Sequence, residues 1–374
     1  MAKKKLRVGV LFGGRSGEHE VSLLSAGSIL KAIDRNKYEV VPVGIAKSGQ
    51  WLGGGNAEAL LSGSAEVLQL TASAEATGTE MIRESGAVTA GLDVVFPVLH
   101  GTFGEDGTIQ GLLELADLAY VGSGVLGSAA GMDKDVMKRL FKAAGLRQTP
   151  YVAVLRNEWR AAPARCRNRI EKALKYPLFI KPANLGSSVG ISKVHDRGEL
   201  AAAMDLAASF DRKIVVEQGV GGPGAKPREL EVAVLGNDKP EVSVVGEIVP
   251  AKEFYDYEAK YGLSGPDESV AIIPARLMGG QIKEIRAMAL AAFQACDCAG
   301  LARVDFLMEP ERTGHKRLKI FLNEVNTMPG FTSISMYPKL WQATGVGYAE
   351  LIDRLIGLAL ERHGEKSATV FSKD

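Results

Sequence analysis

The chain has 374 residues, 46% of them hydrophobic and 24% charged, so we expect a globular protein of two or three domains. The formal net charge is +1, from 45 basic and 44 acidic residues, which argues against broad nucleic-acid binding because that needs a basic surface. No apolar run approaches the ~20 residues of a membrane span, and the three cysteines form no disulfide framework, so a cytoplasmic protein without membrane contact is predicted.

The first third of the chain alternates strand and helix patterns. Strands are predicted at Leu6–Phe12, Tyr38–Ile45 and Asp93–Leu99, with a short one beginning at Tyr120. Helical patterns follow the first and third of these strands. Because this β-α-β order is typical of a parallel sheet, we expect ligand groups at the carboxyl ends of its strands.

The rest of the chain predicts an α+β module and then a region of paired strands. A helix over Asp133–Ala144, capped by Asp133, marks the first domain boundary. Further strands are predicted in YPLFIKPA, ISKV, KIVVEQ, RELEVAVLG, LARVDFLM and KIFLNEVN, and helices near Glu199–Phe210, Gln281–Cys296 and Ala349–Arg362. We therefore expect three domains, at residues 1–133, 134–236 and 237–374.

Two predicted strands near the end carry the sharpest chemical pattern. Arg303 and Asp305 are two residues apart in ARVDF, and Glu324 and Asn326 are two apart in LNEVN. Because strand side chains alternate between faces, each pair points to one side. If the strands form a hairpin, two carboxylates and an amide converge beside an arginine, which suits Mg²⁺ and the oxygens of a transferring phosphoryl group.

A surface strand with solvated charges is the alternative for this pattern. Strict alternation places Leu318, Ile320 and Leu322 on the same face as Glu324, so that face should be partly buried. Since burying acids is unfavourable unless a cation compensates them, we favour a metal site.

A glycine- and serine-rich segment, KPANLGSSVGISKV, begins with a strand that delivers Lys181. Small residues let backbone N–H groups close around phosphate oxygens while the lysine supplies charge. The segment is not a Walker loop, because the lysine precedes the glycines. A Gly/Ser turn without function would look the same, and two strands joined by such a turn can also form a lid over a nucleotide.

Weaker patterns lie at the ends of other strands. Glu217 ends an apolar strand whose backbone could contact an adenine edge, and Glu229 could bind ribose hydroxyls, although salt-bridged surface acids would explain both. Glu18 follows the first strand, where it would begin a helix or receive a substrate ammonium. His100 lies with Glu105 on a Gly-flanked loop, where a structural role is equally open.

Several segments together make the sequence resemble the D-alanine–D-alanine ligase family of the ATP-grasp superfamily. In chain order they are GGRSGEHEVS, HGTFGEDGTIQG, MDKDVMKRL, KPANLGSSVGISKV, YDYEAKY, ARVDF and NEVNTMPGFTSISMYPKL. The likeness runs from about Arg7 to Arg362. It implies an α/β and α+β chain in which a parallel-sheet domain precedes an ATP-grasp fold, and it implies a homodimer.

The resemblance implies an ATP site between the second and third domains. By the family's pattern, the cofactor-binding residues would be Lys134, Lys181, Ser188, Glu217, Gln218, Val220, Glu229 and Lys260. The lysines would approach the phosphates, the backbone after Glu217 the adenine ring, and Glu229 the ribose. Asp305, Glu324 and Asn326 would bind two Mg²⁺ ions, with Mn²⁺ as a substitute.

The first D-alanine, on the same resemblance, would place its ammonium near Glu18, with His100 close by. Its carboxylate would attack the γ-phosphate of ATP and give an acyl phosphate that must be kept from water.

The second D-alanine would dock its carboxylate at Ser335 and at the backbone of Met336. Its amine would then attack the acyl carbon and release phosphate. Arg303 and the N–H of Gly330 would stabilise the tetrahedral oxyanion. The product would be D-alanyl-D-alanine for peptidoglycan precursors.

Two loops would close over this site. Ser187 and Tyr261 would link to Glu18 and so latch the Gly/Ser turn and the loop at 255–267. In related ligases that make D-alanyl-D-lactate, a phenylalanine typically replaces this tyrosine, so Tyr261 favours the dipeptide over the ester.

The sequence departs from the family's pattern at two positions. Gly221–Pro227 is several residues longer than the usual connector before the ribose glutamate, which bears on the placement of Glu229. Leu185 occupies a lid position that is often polar, which bears on lid closure.

Other functions compete with this interpretation. An ATP-grasp ligase with another acceptor, such as D-lactate, would share the same machinery. A nucleotide-binding oxidoreductase is disfavoured because GGRSG is not G-x-G-x-x-G and strand two ends in Ala46 and Lys47 without an acid. A non-catalytic sensor of the same fold should have lost the metal or oxyanion groups, and these are present.

Overall fold

The structure is a computed structural model that describes residues 4–63, 85–87, 89–186, 189–250, 269–310 and 318–370. The described strands form three sheets, which follow one another along the chain. Four of the predicted site residues, Ser187, Ser188, Lys260 and Tyr261, lie outside the described residues, as does most of the predicted polar loop around Lys260 and Tyr261.

The first sheet is mainly parallel, which confirms the prediction from the β-α-β pattern. Its elements are β1 (Leu6–Gly13), α1 (His19–Ala32), β2 (Tyr38–Ile45), β3 (Trp51–Gly53), α2 (Gly54–Ser62), β4 (Val94–Pro97), α3 (Thr108–Leu115), β5 (Ala119–Tyr120) and α4 (Val125–Met132). The strand order is β3-β2-β1-β4-β5, with β3 antiparallel to β2. Because β1 and β4 are neighbours, the loops that follow them, GGRSGE and HGTFGE, lie side by side at one edge.

The second sheet is antiparallel and carries the Gly/Ser turn. Its elements are α5 (Lys134–Ala143), β6 (Tyr151–Leu155), α6 (Arg156–Ala161), α7 (Pro163–Ala173), β7 (Leu178–Pro182), β8 (Ser192–Val194), α8 (Arg197–Phe210) and β9 (Lys213–Gln218). The strand order is β6-β9-β7-β8, and the Gly/Ser turn joins β7 to β8. Asp133 caps α5 as predicted, since its side chain accepts hydrogen bonds from the N–H groups of Asp135 and Val136.

The third sheet contains the two strands that carry Arg303, Asp305, Glu324 and Asn326. Its elements are β10 (Arg228–Gly236), β11 (Glu241–Val249), β12 (Val270–Ile272), α9 (Gly279–Ala295), β13 (Gly300–Met308), β14 (Ile320–Asn326), α10 (Met336–Thr344) and α11 (Tyr348–Ser367). The strand order is β12-β11-β10-β13-β14, and each of these pairings is antiparallel. The boundary expected after Gly236 falls between β10 and β11, which pair within this one sheet. The connector at 219–227 instead separates the strands of the second sheet from those of the third.

β13 and β14 form the expected hairpin, but the alternation assumed for β14 is wrong. Asp305 lies opposite Glu324, whereas the next residue, Phe306, lies opposite Leu322. Asn323 is therefore the extra residue of a β-bulge, which reverses the face of every side chain beyond it. Ile320 and Leu322 point into the core beneath the sheet, opposite to Glu324. Ile320 and Leu322 therefore do not bury Glu324, contrary to the expectation from regular alternation.

The apolar core connects the first and third sheets. One buried cluster joins β1 and β4 to α10 and α11, which return from the end of the chain to cover the first sheet. A second cluster lies between the third sheet, α9 and α5, and a third lies between the second sheet, α7 and α8. In the part of the chain that the structure describes, no helix is both long and apolar enough to cross a membrane.

Candidate active site

A cavity of about 350 Å³ opens where loops of the first sheet, the Gly/Ser turn and the third sheet meet. The sequence-predicted residues on its wall are Glu18, His100, Lys134, Arg303, Glu324, Asn326, Gly330, Ser335 and Met336. The groups expected to bind an ammonium, a phosphate, a metal and a carboxylate therefore share one cavity.

Glu18 is buried at the start of α1, although its side chain makes no capping bond to the helix. A Cβ atom on Gly101 would collide with Oε2 of Glu18, and Gly101 also has a φ of +74°. Both observations explain why a glycine follows His100, since a side chain would displace the carboxylate or strain the backbone. Glu18 thus lies at the junction of the two loops that follow β1 and β4.

Glu105 is a second buried carboxyl group on this wall, and no separate role was predicted for it. Its Oε1 atom accepts a hydrogen bond of 2.7 Å from the N–H of Gly101. Burial and then the negative charge of Glu18 raise the pKa of Glu105 to about 8. At neutral pH Glu105 is therefore mainly protonated.

His100 is buried and joins the first sheet to the third. Its Nδ1 atom lies 3.0 Å from the carbonyl oxygen of Met328, and its Nε2 atom lies 3.2 Å from Oγ of Ser25. Burial lowers the pKa of His100, against the opposing charge of Glu18, so the ring is neutral at pH 7. His100 can therefore position the cavity wall without adding charge to it.

Lys134 ties the Gly/Ser turn to the start of α5. Its Nζ atom donates a hydrogen bond of 2.8 Å to the carbonyl oxygen of Leu185. The next residue, Gly186, lies so close to Glu18 that an added Cβ would be 2.9 Å from Oε2. The described start of the turn is therefore in contact with the wall of the first sheet.

A row of acidic side chains crosses the third sheet. In the strand register Glu231 lies opposite Asp305, which lies opposite Glu324, so all three share one face. Arg303 and Asn326 form the neighbouring pair on that face. Glu231 was not predicted, although its spacing of two from Glu229 in RELEV was a signal that both point to one side.

Arg303 is held by this row. Its guanidinium makes two hydrogen bonds of 2.7 Å to the carboxylate of Asp305, and Nε lies 3.2 Å from Oε2 of Glu231. The side chain is 14% exposed, so these charge-assisted bonds are partly shielded from water. The arrangement fixes the arginine on the cavity wall.

The oxygen atoms on this face of the third sheet are suitable ligands for a hard divalent cation. No group of three or more His, Cys, Asp or Glu side chains in the described residues is close enough to hold a metal. Asp305 and Glu324 nevertheless supply carboxylate oxygens on adjacent strands, and Asn326 adds an amide oxygen on the same face. A carboxylate has about four lone-pair sites, so the bonds from Arg303 leave Asp305 able to accept another partner.

The start of α10 also lines the cavity. Ser335 is the N-cap residue, and its Oγ lies 2.7 Å from the hydroxyl of Thr332. Lys339, one helical turn later, also lines the cavity and has no ion pair or hydrogen bond from its side chain to any described residue. Lys339 was not predicted, although it stands four residues from Ser335 in SMYPKL, the spacing of one helix face.

The residues predicted to bind ATP lie in two places. Lys134 lines the cavity, whereas Lys181 and Glu217 form a buried ion pair of 3.2 Å between β7 and β9. Gln218 ends β9, and Val220 is buried just beyond it. Glu229, which was predicted to bind the ribose, is half-buried near the start of β10.

The connector between β9 and β10 is rich in glycine for a conformational reason. Gly221 and Gly222 have φ of +86° and +85°, in the left-handed region that side chains disfavour. The additional length noted in the sequence is therefore taken up by a turn that glycine makes possible.

Comparison with known proteins identifies the family. Residues 7–123 match the family model "D-ala D-ala ligase N-terminus", and residues 140–357 match "D-ala D-ala ligase C-terminus". The chain is 50% identical to D-alanine--D-alanine ligase of Geobacillus thermodenitrificans over 378 residues, which covers 98% of this chain and 99% of that protein. The same enzyme of Chloroherpeton thalassium is 50% identical over 380 residues, covering 98% and 99%.

Solved structures give the same result. The D-alanine-D-alanine ligase of Coxiella burnetii superposes with a TM-score of 0.78 at 35% identity, covering 98% of this chain and 97% of that one. The VanG D-Ala:D-Ser ligase of Enterococcus faecalis superposes with a TM-score of 0.76 at 36% identity, covering 95% and 100%. The fold is the ATP-grasp fold expected from the resemblance, and the chain belongs to the D-alanine–D-alanine ligase family.

Proposed function

We propose that the enzyme uses ATP to join two D-alanine molecules into D-alanyl-D-alanine through an acyl phosphate, for peptidoglycan synthesis. The observation that carries this proposal is the shared cavity. Glu18, Arg303, Glu324 and Ser335 all line it. An amino acid ammonium, a reacting carboxyl group and a second carboxylate can therefore be bound in one continuous space.

The donor half of the site has the charges for an α-amino acid. Glu18 is buried beside Gly101 and Gly186 and would receive the ammonium of the first D-alanine. His100, which is neutral, fixes the neighbouring backbone through Met328. Lys134, which lines the same cavity as Glu18, would attract the phosphates of ATP and so favour a reaction with the carboxylate of the bound donor.

The third sheet supplies the groups for phosphoryl transfer. Asp305, Glu324 and Asn326 would hold Mg²⁺, with Mn²⁺ as a substitute. A bound divalent ion neutralises charge on the transferring phosphoryl group. Arg303 would stabilise the oxyanion formed when the second amine attacks, together with the N–H of Gly330. The presence of all four side chains favours an enzyme over a non-catalytic relative.

The acceptor half would bind the second D-alanine through Ser335 and the backbone of Met336. Ser187 and Tyr261 would close the site against water, and Ser188 and Lys260 would contact the nucleotide, as the family resemblance implies. Because VanG is named as a D-Ala:D-Ser ligase, the acceptor is the part of the proposal that most needs a direct test.

The proposal is tested by phosphate release from Mg²⁺-ATP with purified protein. D-alanine alone should support release, L-alanine alone should not, and mass analysis should show D-alanyl-D-alanine as the main product when D-serine or D-lactate is also present. Ester or D-alanyl-D-serine as the main product would contradict the acceptor assignment. No release with any amino acid would contradict the ligase assignment.

We also propose that the enzyme works in the cytoplasm as a homodimer. The three cysteines, Cys166, Cys296 and Cys298, are all free and buried, as is typical of a reducing compartment. The dimer rests on the family resemblance, and sedimentation equilibrium that gives the monomer mass at micromolar concentration would contradict it.

A further inference from the structure

A fully buried lysine lies behind the predicted nucleotide site. Lys138 follows Lys134 by one turn of α5, and its side chain is 0% exposed. Its Nζ atom lies 3.3 Å from Oε2 of Glu217 and 5.5 Å from the ring centroid of Tyr151. No hydrogen bond of good geometry joins this ammonium to another described residue. Burial lowers the pKa of Lys138, against the charge of Glu217.

Glu217 is shared between two lysines. Its Oε1 atom lies 3.2 Å from Nζ of Lys181, while Oε2 faces Lys138 and accepts a hydrogen bond of 3.0 Å from the hydroxyl of Thr149. Burial alone would raise the pKa of Glu217, but the two ammonium groups outweigh it and hold that pKa at about 2. The cluster therefore sets two lysine side chains against one buried carboxylate.

We infer that Lys138 is a positioning residue for ATP, which keeps Glu217 neutralised when Lys181 turns to the nucleotide phosphates. The inference rests on the proposed role of Lys181 in binding ATP. If Glu217 had Lys181 as its one cation, that transfer would leave a buried carboxylate without compensation, which is strongly unfavourable. With Lys138 in place, the carboxylate keeps a counterion and Lys181 can exchange partners.

The contact between Lys138 and Glu217 also fixes β9, the strand whose end is predicted to contact the adenine ring. Lys138 lies on α5, whose Met137 and Phe141 pack in the core beneath the third sheet. Glu217 lies on β9 of the second sheet. The Lys138–Glu217 pair thus holds the end of β9 against the domain that carries the acidic row. On the proposed function, the end of β9 and the acidic row would contact the same nucleotide.

Substitution of Lys138 by methionine, which keeps the length of the side chain, tests this role. The dissociation constant of the Mg²⁺ complex of a non-hydrolysable β,γ-imido ATP analogue would be measured by calorimetry, together with KM for ATP and for D-alanine. We expect Lys138→Met to weaken nucleotide binding by at least about tenfold, because Glu217 then holds Lys181, while KM for D-alanine changes less than about twofold. Lys138→Arg should recover part of the loss, and Lys142→Met, an exposed position one turn further, should change nothing.

A double variant separates this role from a merely structural one. In Glu217→Gln protein no carboxylate needs a counterion, so adding Lys138→Met should change nucleotide affinity by less than about threefold. Equal losses from Lys138→Met in the two backgrounds would overturn the inference. So would nucleotide affinity of the single variant within twofold of the parent.

The ligase assignment and the role of Lys138 are tested by different measurements. If the parent protein binds the analogue but forms no dipeptide, the ligase assignment fails while the binding constants still decide the role of Lys138. If Lys138→Met does not fold, Lys138→Gln, which also removes the charge, is compared in the parent and in the Glu217→Gln background instead. A glutamine that costs no affinity in the parent would then contradict the counterion role of Lys138. A loss of affinity that the Glu217→Gln substitution removes would support that role.

Discussion

Glu105 shows how one buried group can make stability depend on pH. Its carboxyl lies beside Glu18 and accepts a bond from the N–H of Gly101, and its pKa is raised from 4.5 to about 8 by burial and then by Glu18. The folded protein therefore keeps a proton that the unfolded chain releases. Between these pKa values unfolding releases a proton, so this group makes the protein less stable as pH rises, and the effect levels off above pH 8.

Replacing this carboxyl by an amide should remove the pH dependence. Glu105→Gln keeps an oxygen for Gly101 but cannot ionise, so its stability relative to the parent should increase from about pH 5 to about pH 8, by on the order of a few kcal/mol. Urea unfolding of both proteins across this range would measure the difference. A difference that is constant with pH would contradict the raised pKa, and Glu58→Gln, an exposed position, is the control.

Lys339 is a second cavity residue for which we expect a specific role. It is half-buried on the cavity wall, four residues after Ser335 on the same helix face, and no described residue neutralises it. An acceptor carboxylate bound at Ser335 would lie within reach of this ammonium. A charge-assisted bond there would favour amino acids with a free carboxylate over their amides.

We therefore expect Lys339→Met to raise KM for the acceptor D-alanine about tenfold or more, with a smaller effect on KM for ATP. Lys339→Arg should retain most of the affinity. The measurement is initial-rate kinetics with the donor site saturated. An unchanged acceptor KM would show that this lysine does not contact the substrate.

At the scale of elements, the bulge at Asn323 determines which side chains reach the cavity. Ile320 and Leu322 point into the core before the bulge, and Glu324 and Asn326 point to the acidic row after it. A regular strand would place one of these two pairs on the wrong face. Because of the extra residue, β14 contributes apolar side chains to the core in its first part and polar side chains to the cavity in its second part.

Deleting Asn323 should damage both functions of the strand. Either charged and amide groups would enter the core or apolar ones would leave it, so we expect a loss of more than about 3 kcal/mol in the free energy of unfolding. Asn323→Ala, which keeps the bulge, should cost less than about 1 kcal/mol. Urea unfolding of the two variants compares them, and equal stability of the deletion and the parent would show that the bulge is dispensable.

The same strand shows what could be predicted before the structure. ARVDF and LNEVN predicted a hairpin with Arg303, Asp305, Glu324 and Asn326 on one face, because spacing by two is a local property. The bulge was not predicted, since it depends on which residues of β13 lie opposite β14.

Glu231 and Lys138 were missed for a related reason. Their partners, Arg303 and Glu217, are distant in sequence and meet them only in the fold. No local spacing can therefore show that Glu231 helps to hold the arginine or that Lys138 is a counterion.

At the scale of the whole molecule, the first sheet depends on the end of the chain. α11 buries Leu351, Ile352, Leu355 and Ile356 in the cluster that contains Val8, Val10 and Phe12 of β1. The sheet edge that carries Glu18 is thereby fixed relative to Arg303 and Ser335, which belong to the third sheet and the helix that follows it. This packing explains how one cavity can be lined by residues as far apart in the sequence as Glu18 and Lys339.

The dependence predicts that the expected first domain, residues 1–133, does not fold alone. Without α11, one face of its sheet would expose several large apolar side chains, each worth ~1.5–3 kcal/mol when buried. We expect the fragment to bind a hydrophobic dye and to unfold in urea without a cooperative transition, and a chain that ends at Gly347 to do the same in its first domain. The full chain is the control and should unfold cooperatively. A sharp transition in the isolated fragment would show that α11 is needed to place the two halves of the cavity rather than to complete the core of the first sheet.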